Sequence, residues 1–300
     1  MAPVIGILCV DIAKLLSDNY PGSTSYIGAS SVKFLESAGA KIVPIWIGRN
    51  REYYENILQQ INGVLLPGGA VWFHERGGFA DAGRQIFDIA IEMNERGEFF
   101  PLLGICLGYE LLVDASANQT EVRRDCAALN QSLPLHFKTD YRCSRMFKKV
   151  PADVETILKN ENVTHNFHRY CITEKDLRDF DLTDKWRVIS TNQDLNGLEF
   201  ISSVEHKKYP FYGLQFHPEK SAYEFTETLN IDHSESAIKA SHFLALFFVG
   251  EAKKSNHRFI NSEEECRHII YNFPVTFTAL KKLRWYQVYL FSENADYPKL

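Results

Sequence analysis

Cys106 stands between two glycines in Gly104-Ile-Cys-Leu-Gly108, with the apolar run Phe99–Ile105 before it and a helically spaced apolar pattern from Leu107 onward. This is the Cys form of the nucleophile elbow, a sharp strand-to-helix turn that lifts a reactive side chain clear of a sheet. A thiol at a helix N-terminus is also expected to have its pKa lowered by the helix dipole. The second stretch is Tyr212-Gly-Leu-Gln-Phe-His-Pro-Glu-Lys220. His217 there ends an apolar strand, at the sheet edge where open α/β folds bind ligands. Pro218 keeps the chain extended, so Glu219 shares a side of the chain with His217. Taken alone, the Cys reads as a buried core residue and His-Pro-Glu as a surface turn. Together they supply a nucleophile, a base and a group to orient the base, the components of acyl transfer through a covalent intermediate.

The elements that must position these residues alternate. Strands are expected over 3–10, 41–46 and 63–66, helices over 26–38, 51–60 and 79–96, and then the strand, elbow and helix around Cys106. Such alternation predicts an α/β protein, a three-layer α-β-α sandwich on a mostly parallel sheet. From Thr120 to about Phe216 the pattern shifts to short alternating strands, which predicts a smaller antiparallel addition. A helix over 235–254 and a strand near 285–291 follow. With no repeat, linker or low-complexity segment, residues 1–300 are expected to form one domain.

Several stretches resemble the class I glutamine amidotransferase superfamily and, within it, the γ-glutamyl hydrolases (folylpoly-γ-glutamate hydrolases, peptidase C26 type). They are Gly104-Ile-Cys-Leu-Gly108, Phe216-His-Pro-Glu219, Ile61-Asn-Gly-Val-Leu-Leu-Pro-Gly-Gly69, the first-helix stretch Ser25–Ala40, Ser144-Arg-Met-Phe147 and Asn166-Phe-His168. The resemblance runs from Pro3 into the C-terminal tail. It implies a Cys106–His217–Glu219 triad that cleaves the γ-glutamyl bonds of folate or antifolate poly-γ-glutamates through a thioester, without a cofactor. The backbone N–H groups of Leu107 and Gly69 are the expected oxyanion donors. Glu110 stands where many amidotransferases carry Gln, which weakens a glutaminase reading and suggests contact with a substrate amino group. His168 resembles a pocket-lining position, and Arg145 is the expected clamp for a substrate carboxylate. Trp72 and Phe73, after the Gly-Gly turn, are candidates to stack on an aromatic ring. A homodimer in a lysosomal or secreted setting is also implied, with this chain a mature form lacking its signal peptide.

Composition narrows the field further. A formal net charge of −5 argues against a general nucleic-acid-coating protein. No apolar run is long enough to span a membrane. Six cysteines in 300 residues are too sparse for a disulfide framework, so the five besides Cys106 are read as core or free thiols. His165 and His168 lack the Cys or carboxylate neighbours a metal site needs, and no metal is expected. N-x-[ST] sequons at Asn118, Asn130 and Asn162 are candidate glycosylation sites. Two other function classes stay open: a glutaminase chain supplying ammonia to a partner synthetase, and a non-catalytic binding module on the same fold.

Overall fold

The computed structural model describes residues 2–118 and 120–299. Its main sheet has eight strands in the order Lys41–Ile45, Val4–Leu8, Val64–Leu66, Leu102–Ile105, Phe211–Leu214, Glu199–His206, Trp186–Gln193 and His136–Phe137. The first five run parallel, and the last three pairings are antiparallel. Every residue of Val4–Leu8 and Leu102–Ile105 is buried, so both faces of this part of the sheet are covered. The helices divide accordingly. Arg51–Leu58, Phe79–Glu95 and Leu107–Ser116 pack in one series, Ala29–Glu36 and Glu235–Ala252 in another. Phe79–Glu95 shows why: Phe79, Ala82, Gly83, Ile86, Phe87, Ala90 and Met93 are its buried stripe at helical spacing.

The expected antiparallel addition is present in two pieces, and a third antiparallel sheet lies outside the stretch where it was expected. One is the antiparallel end of the main sheet, and the second is the ribbon of Arg124–Leu133 with Thr164–Cys171. The third is a four-stranded sheet of Val275–Phe277, Gln287–Phe291, Ser25–Gly28 and Val10–Asp11. That last sheet corrects the expected first helix, which begins at Ala29 rather than Tyr26. Ser25–Gly28 is instead a strand, because Tyr26 pairs with Leu290 and Val10 and its ring meets Trp285 edge-on at 5.0 Å. Tertiary pairing here overrides local helical pattern. The helices Ala152–Asn160 and Glu174–Asp179 also interrupt the region read as strands.

Candidate active site

The elbow is built as its glycines require. Cys106 has φ 49° and ψ −109°, a strained conformation for a residue with a Cβ, of the kind that costs about 1–3 kcal/mol and concentrates at functional sites. Its N–H donates to the Leu214 carbonyl at 2.7 Å, which ties the turn to the neighbouring strand. A Cβ on Gly104 would lie 2.5 Å from the Gly108 carbonyl oxygen, and one on Gly108 would lie 1.9 Å from that of Leu66. Both clashes are with backbone, which cannot rotate away. The strand therefore reverses into the helix Leu107–Ser116 only with glycine at both positions.

His217 follows the next strand, Phe211–Leu214. Its N–H donates to the His165 carbonyl at 2.8 Å, and the Pro218 carbonyl accepts from Ser241 Oγ at 2.6 Å. Those two bonds fix the segment between the ribbon and the helix Glu235–Ala252. His217 Nδ1 lies 2.7 Å from Glu219 Oε1, so the carboxylate selects the tautomer that leaves Nε2 as acceptor. Gly68 separates His217 from the cysteine: a Cβ there would lie 2.5 Å from His217 Cε1 and 3.5 Å from Cys106 Cβ. Cys106, Leu107, Gly69, His217 and Glu219 all line one cavity of about 510 Å³ at the C-terminal ends of the parallel strands. The Gly69 N–H donates no hydrogen bond among the described residues.

Residues 3–219 match the peptidase C26 family profile. The chain is 37% identical over 298 residues to γ-glutamyl hydrolase B of Dictyostelium discoideum, covering 99% of this chain and 85% of that one. It is 38% identical to γ-glutamyl hydrolase of Bos taurus and 37% to that of Homo sapiens, covering 92% of this chain and 86% of each relative. The chain belongs to the peptidase C26 family. Among solved structures, a GMP synthase-type protein from Thermoplasma acidophilum aligns with TM-score 0.50 at 14% identity, over 85% of this chain and 96% of that one. At that identity the likeness speaks for the fold alone.

The charges in this peptidase C26 site differ from expectation in one respect. The Leu107 N–H and Lys220 do favour the Cys106 thiolate, but burial, reinforced by the carboxylate of Glu110, outweighs them and pushes the thiol well above its ordinary range. Burial likewise lowers the pKa of His217 despite Glu219, while the His217 partner holds Glu219 below the usual carboxylate range. The resting pair is thus thiol and neutral imidazole beside an ionised carboxylate. Among the described residues Cys106 and His217 share no hydrogen bond, and Gln215 Nε2 donates to the sulfur at 3.9 Å. Catalytic contacts often tighten only with substrate present.

Glu110 lies on the cavity wall and is fully buried. Gln215 Nε2 donates to it at 2.9 Å and Arg123 Nη1 at 3.2 Å, yet burial raises its pKa to about 7. Arg123 compensates only in part because its fork is turned to Glu121, at 2.7 and 2.8 Å. No motif in the sequence singles out Arg123. Its face lies 3.7 Å from the centre of Phe73, so Phe73 supports a guanidinium rather than facing a ligand, whereas Trp72 is half exposed on the cavity wall. His168 also lines the cavity, with Nδ1 2.8 Å from the Tyr170 carbonyl and Nε2 3.2 Å from Asn166 Oδ1.

Arg145 is off the cavity wall. Its backbone N–H donates to the buried Glu205 carboxylate at 2.7 Å, its guanidinium donates to the His206 carbonyl, and its face covers Tyr212 at 5.4 Å. The expected substrate clamp is therefore placed away from the cavity, with its guanidinium beside Glu205 at 3.7 Å. The cations that do reach the cavity are Arg123, Arg169, Lys220 and Arg284. Of the sequon asparagines, Asn118 and Asn162 are exposed, while half-buried Asn130 accepts the Asn230 N–H through Oδ1 at 2.5 Å. All six cysteines are free. Among the described residues no group of three or more His, Cys, Asp or Glu side chains is arranged to hold a metal ion, and no helix is long and apolar enough to cross a membrane.

Proposed function

We propose that this chain is a γ-glutamyl hydrolase that cleaves folylpoly-γ-glutamates and their antifolate counterparts, with Cys106 as nucleophile, His217 as acid–base and Glu219 as its orienting partner. The observation that carries this reading is the composition of the one cavity. It brings Cys106 and the His217–Glu219 pair together with four cationic side chains and the exposed indole of Trp72. A poly-γ-glutamate carries many carboxylates, and a pteridine offers a flat ring to stack. Names of the peptidase C26 relatives point to the same bond.

The chemistry follows from the charge states. Because burial keeps Cys106 protonated, the thiol proton passes to His217 Nε2 as sulfur attacks the γ-carbonyl carbon. Glu219 stabilises the imidazolium that forms. The tetrahedral oxyanion is held by the N–H groups of Leu107 and Gly69, each donor contributing about 3–4 kcal/mol in comparable sites. Breakdown takes the proton from His217 to the departing amine and leaves a thioester on Cys106. Water, deprotonated by His217, then hydrolyses the thioester and returns the thiol. The resemblance, with exposed Asn118 and Asn162, supports a homodimeric glycoprotein of the lysosome or the secreted medium.

Mass spectrometry of products from a folate-linked γ-glutamyl ladder, run beside free glutamine, tests the reading. Shortened folates with no ammonia from glutamine are expected. Ammonia from free glutamine with the ladder left intact would replace the hydrolase by a glutaminase.

A further inference from the structure

A γ-linked glutamate chain differs from an ordinary peptide in that every residue keeps a free α-carboxylate. Its five-bond repeat places these charges about 6 Å apart when extended. The cavity wall opposite the elbow has a matching set of charges. Phe167 and Arg169 are two apart on the strand Thr164–Cys171, so they project from the same face with their Cα atoms roughly 7 Å apart. Over the Phe167 ring, at 5.0 Å, lies the guanidinium of Arg284, delivered from the far end of the chain just before the strand Gln287–Phe291. Both arginines line the cavity, and both are exposed. Among the described residues the Arg284 guanidinium contacts the Phe167 ring, and neither arginine is held by a carboxylate.

Two features make these unlike ordinary surface arginines. The acids on the cavity wall are already committed: Glu110 to Gln215 and Arg123, Glu219 to His217. Stacking also occupies only the face of the Arg284 guanidinium. Its N–H groups stay available to a carboxylate, which a guanidinium takes through two parallel hydrogen bonds. Lysine in that place would be a mobile point charge.

We propose that Arg169 and Arg284, the latter propped on Phe167, form two successive α-carboxylate subsites that grip the poly-γ-glutamate tail and make the enzyme prefer long tails over short ones. This rests on the γ-glutamyl hydrolase reading and adds the part of the substrate that the wall selects. Arg284 lies outside residues 3–219, the span matched by the family profile. The selectivity is therefore carried partly by a segment that the profile does not describe.

The test compares kcat/KM for pteroyl-diglutamate and pteroyl-hexaglutamate, both γ-linked and differing only in tail length, in wild type, Arg169→Gln, Arg284→Gln and Arg284→Lys, at low and high salt. The ratio of long to short substrate is expected to fall about tenfold in each Gln variant, the scale of one charge-assisted hydrogen bond. Arg284→Lys should restore part of it, and added salt should lower the wild-type ratio. Melting temperatures should stay level, since both side chains are on the surface. Equal losses on the two substrates, or no loss on either, would overturn the subsites while leaving the hydrolase intact. A wild-type enzyme that cleaves neither substrate would instead strike down the γ-glutamyl reading, and the subsites with it.

Discussion

Gly68→Ala isolates the geometry of the site from its chemistry. The new Cβ would lie 2.5 Å from His217 Cε1, whereas ordinary van der Waals contact begins near 3.4 Å, so the imidazole must yield by about an ångström. It has little freedom to do so: its Nδ1 is held 2.7 Å from Glu219, and its own backbone N–H is bonded to His165. The ring therefore shifts relative to Cys106, and on the acid–base role proposed for His217 a displacement of that size should cost on the order of a hundredfold in rate. Gly68 is not in the left-handed region, so alanine adds no backbone strain. Gly250→Ala is the control. It lies in the helix Glu235–Ala252 with open space around it, and the change should leave turnover alone and add about 0.5–1 kcal/mol of stability. Steady-state kcat on a γ-glutamyl substrate, with thermal melts of both variants, makes the comparison. Wild-type kcat in Gly68→Ala would refute the placement of His217 against this glycine. An equal kcat loss in Gly250→Ala would show that any added methyl impairs the enzyme.

Cys106→Ala should abolish turnover yet retain substrate in a pull-down or calorimetric titration, His217→Asn should fall nearly as far, and Glu219→Gln should be milder. The triple variant should be little worse than Cys106→Ala, and substantial turnover by folded Cys106→Ala would remove the nucleophile assignment. Glu110 has a folded pKa near 7 against an ordinary 4.5, so between these values the folded state holds a proton the unfolded chain has lost. Stability should therefore fall as pH rises from about 4.5 to 7, by on the order of 2–3 kcal/mol. Glu110→Gln should flatten melting temperature against pH across that window, and an unchanged slope would assign the titration to another group. Protein from animal cells should lose mass on N-glycosidase treatment, with the sugars on Asn118 or Asn162; unmodified asparagines at both would count against passage through the secretory route.

The elbow was readable in the sequence because its constraint is local. A strand, a tight turn and a helix within a dozen residues leave glycines at fixed offsets, and the clashes at Gly104 and Gly108 show why. The alternation of strands and helices was readable for the same reason. What escaped was long-range. Ser25–Gly28 has a helix-like neighbourhood but pairs with Gln287–Phe291, at the other end of the sequence. Arg123 sits in a charged stretch with no motif, and its place on the cavity wall depends on Phe73 beneath it and Glu121 beside it. Arg145 looks free in the sequence because the Glu205 carboxylate beside its guanidinium comes from a strand sixty residues on. Arg284 carried no local signal at all.

The four-stranded sheet has a consequence for synthesis on the ribosome. Cys106 is made when about a third of the chain has been polymerised, but the strand Phe211–Leu214, which pairs beside its own strand and accepts its N–H, follows roughly a hundred residues later. The strand Ser25–Gly28 waits for Gln287–Phe291 to pair beside it, and Arg284 and Trp285 reach the cavity only with that late segment. Glu224, which follows the His217 turn, likewise receives its bond from the Tyr286 N–H at 2.7 Å. The elbow, its partner strand and the His217 turn thus all precede in the sequence the segment that finishes the cavity wall. The cavity wall is therefore closed from both ends of the sequence, and its last-made residues, Arg284 and Trp285, complete a site whose other parts precede them in the chain.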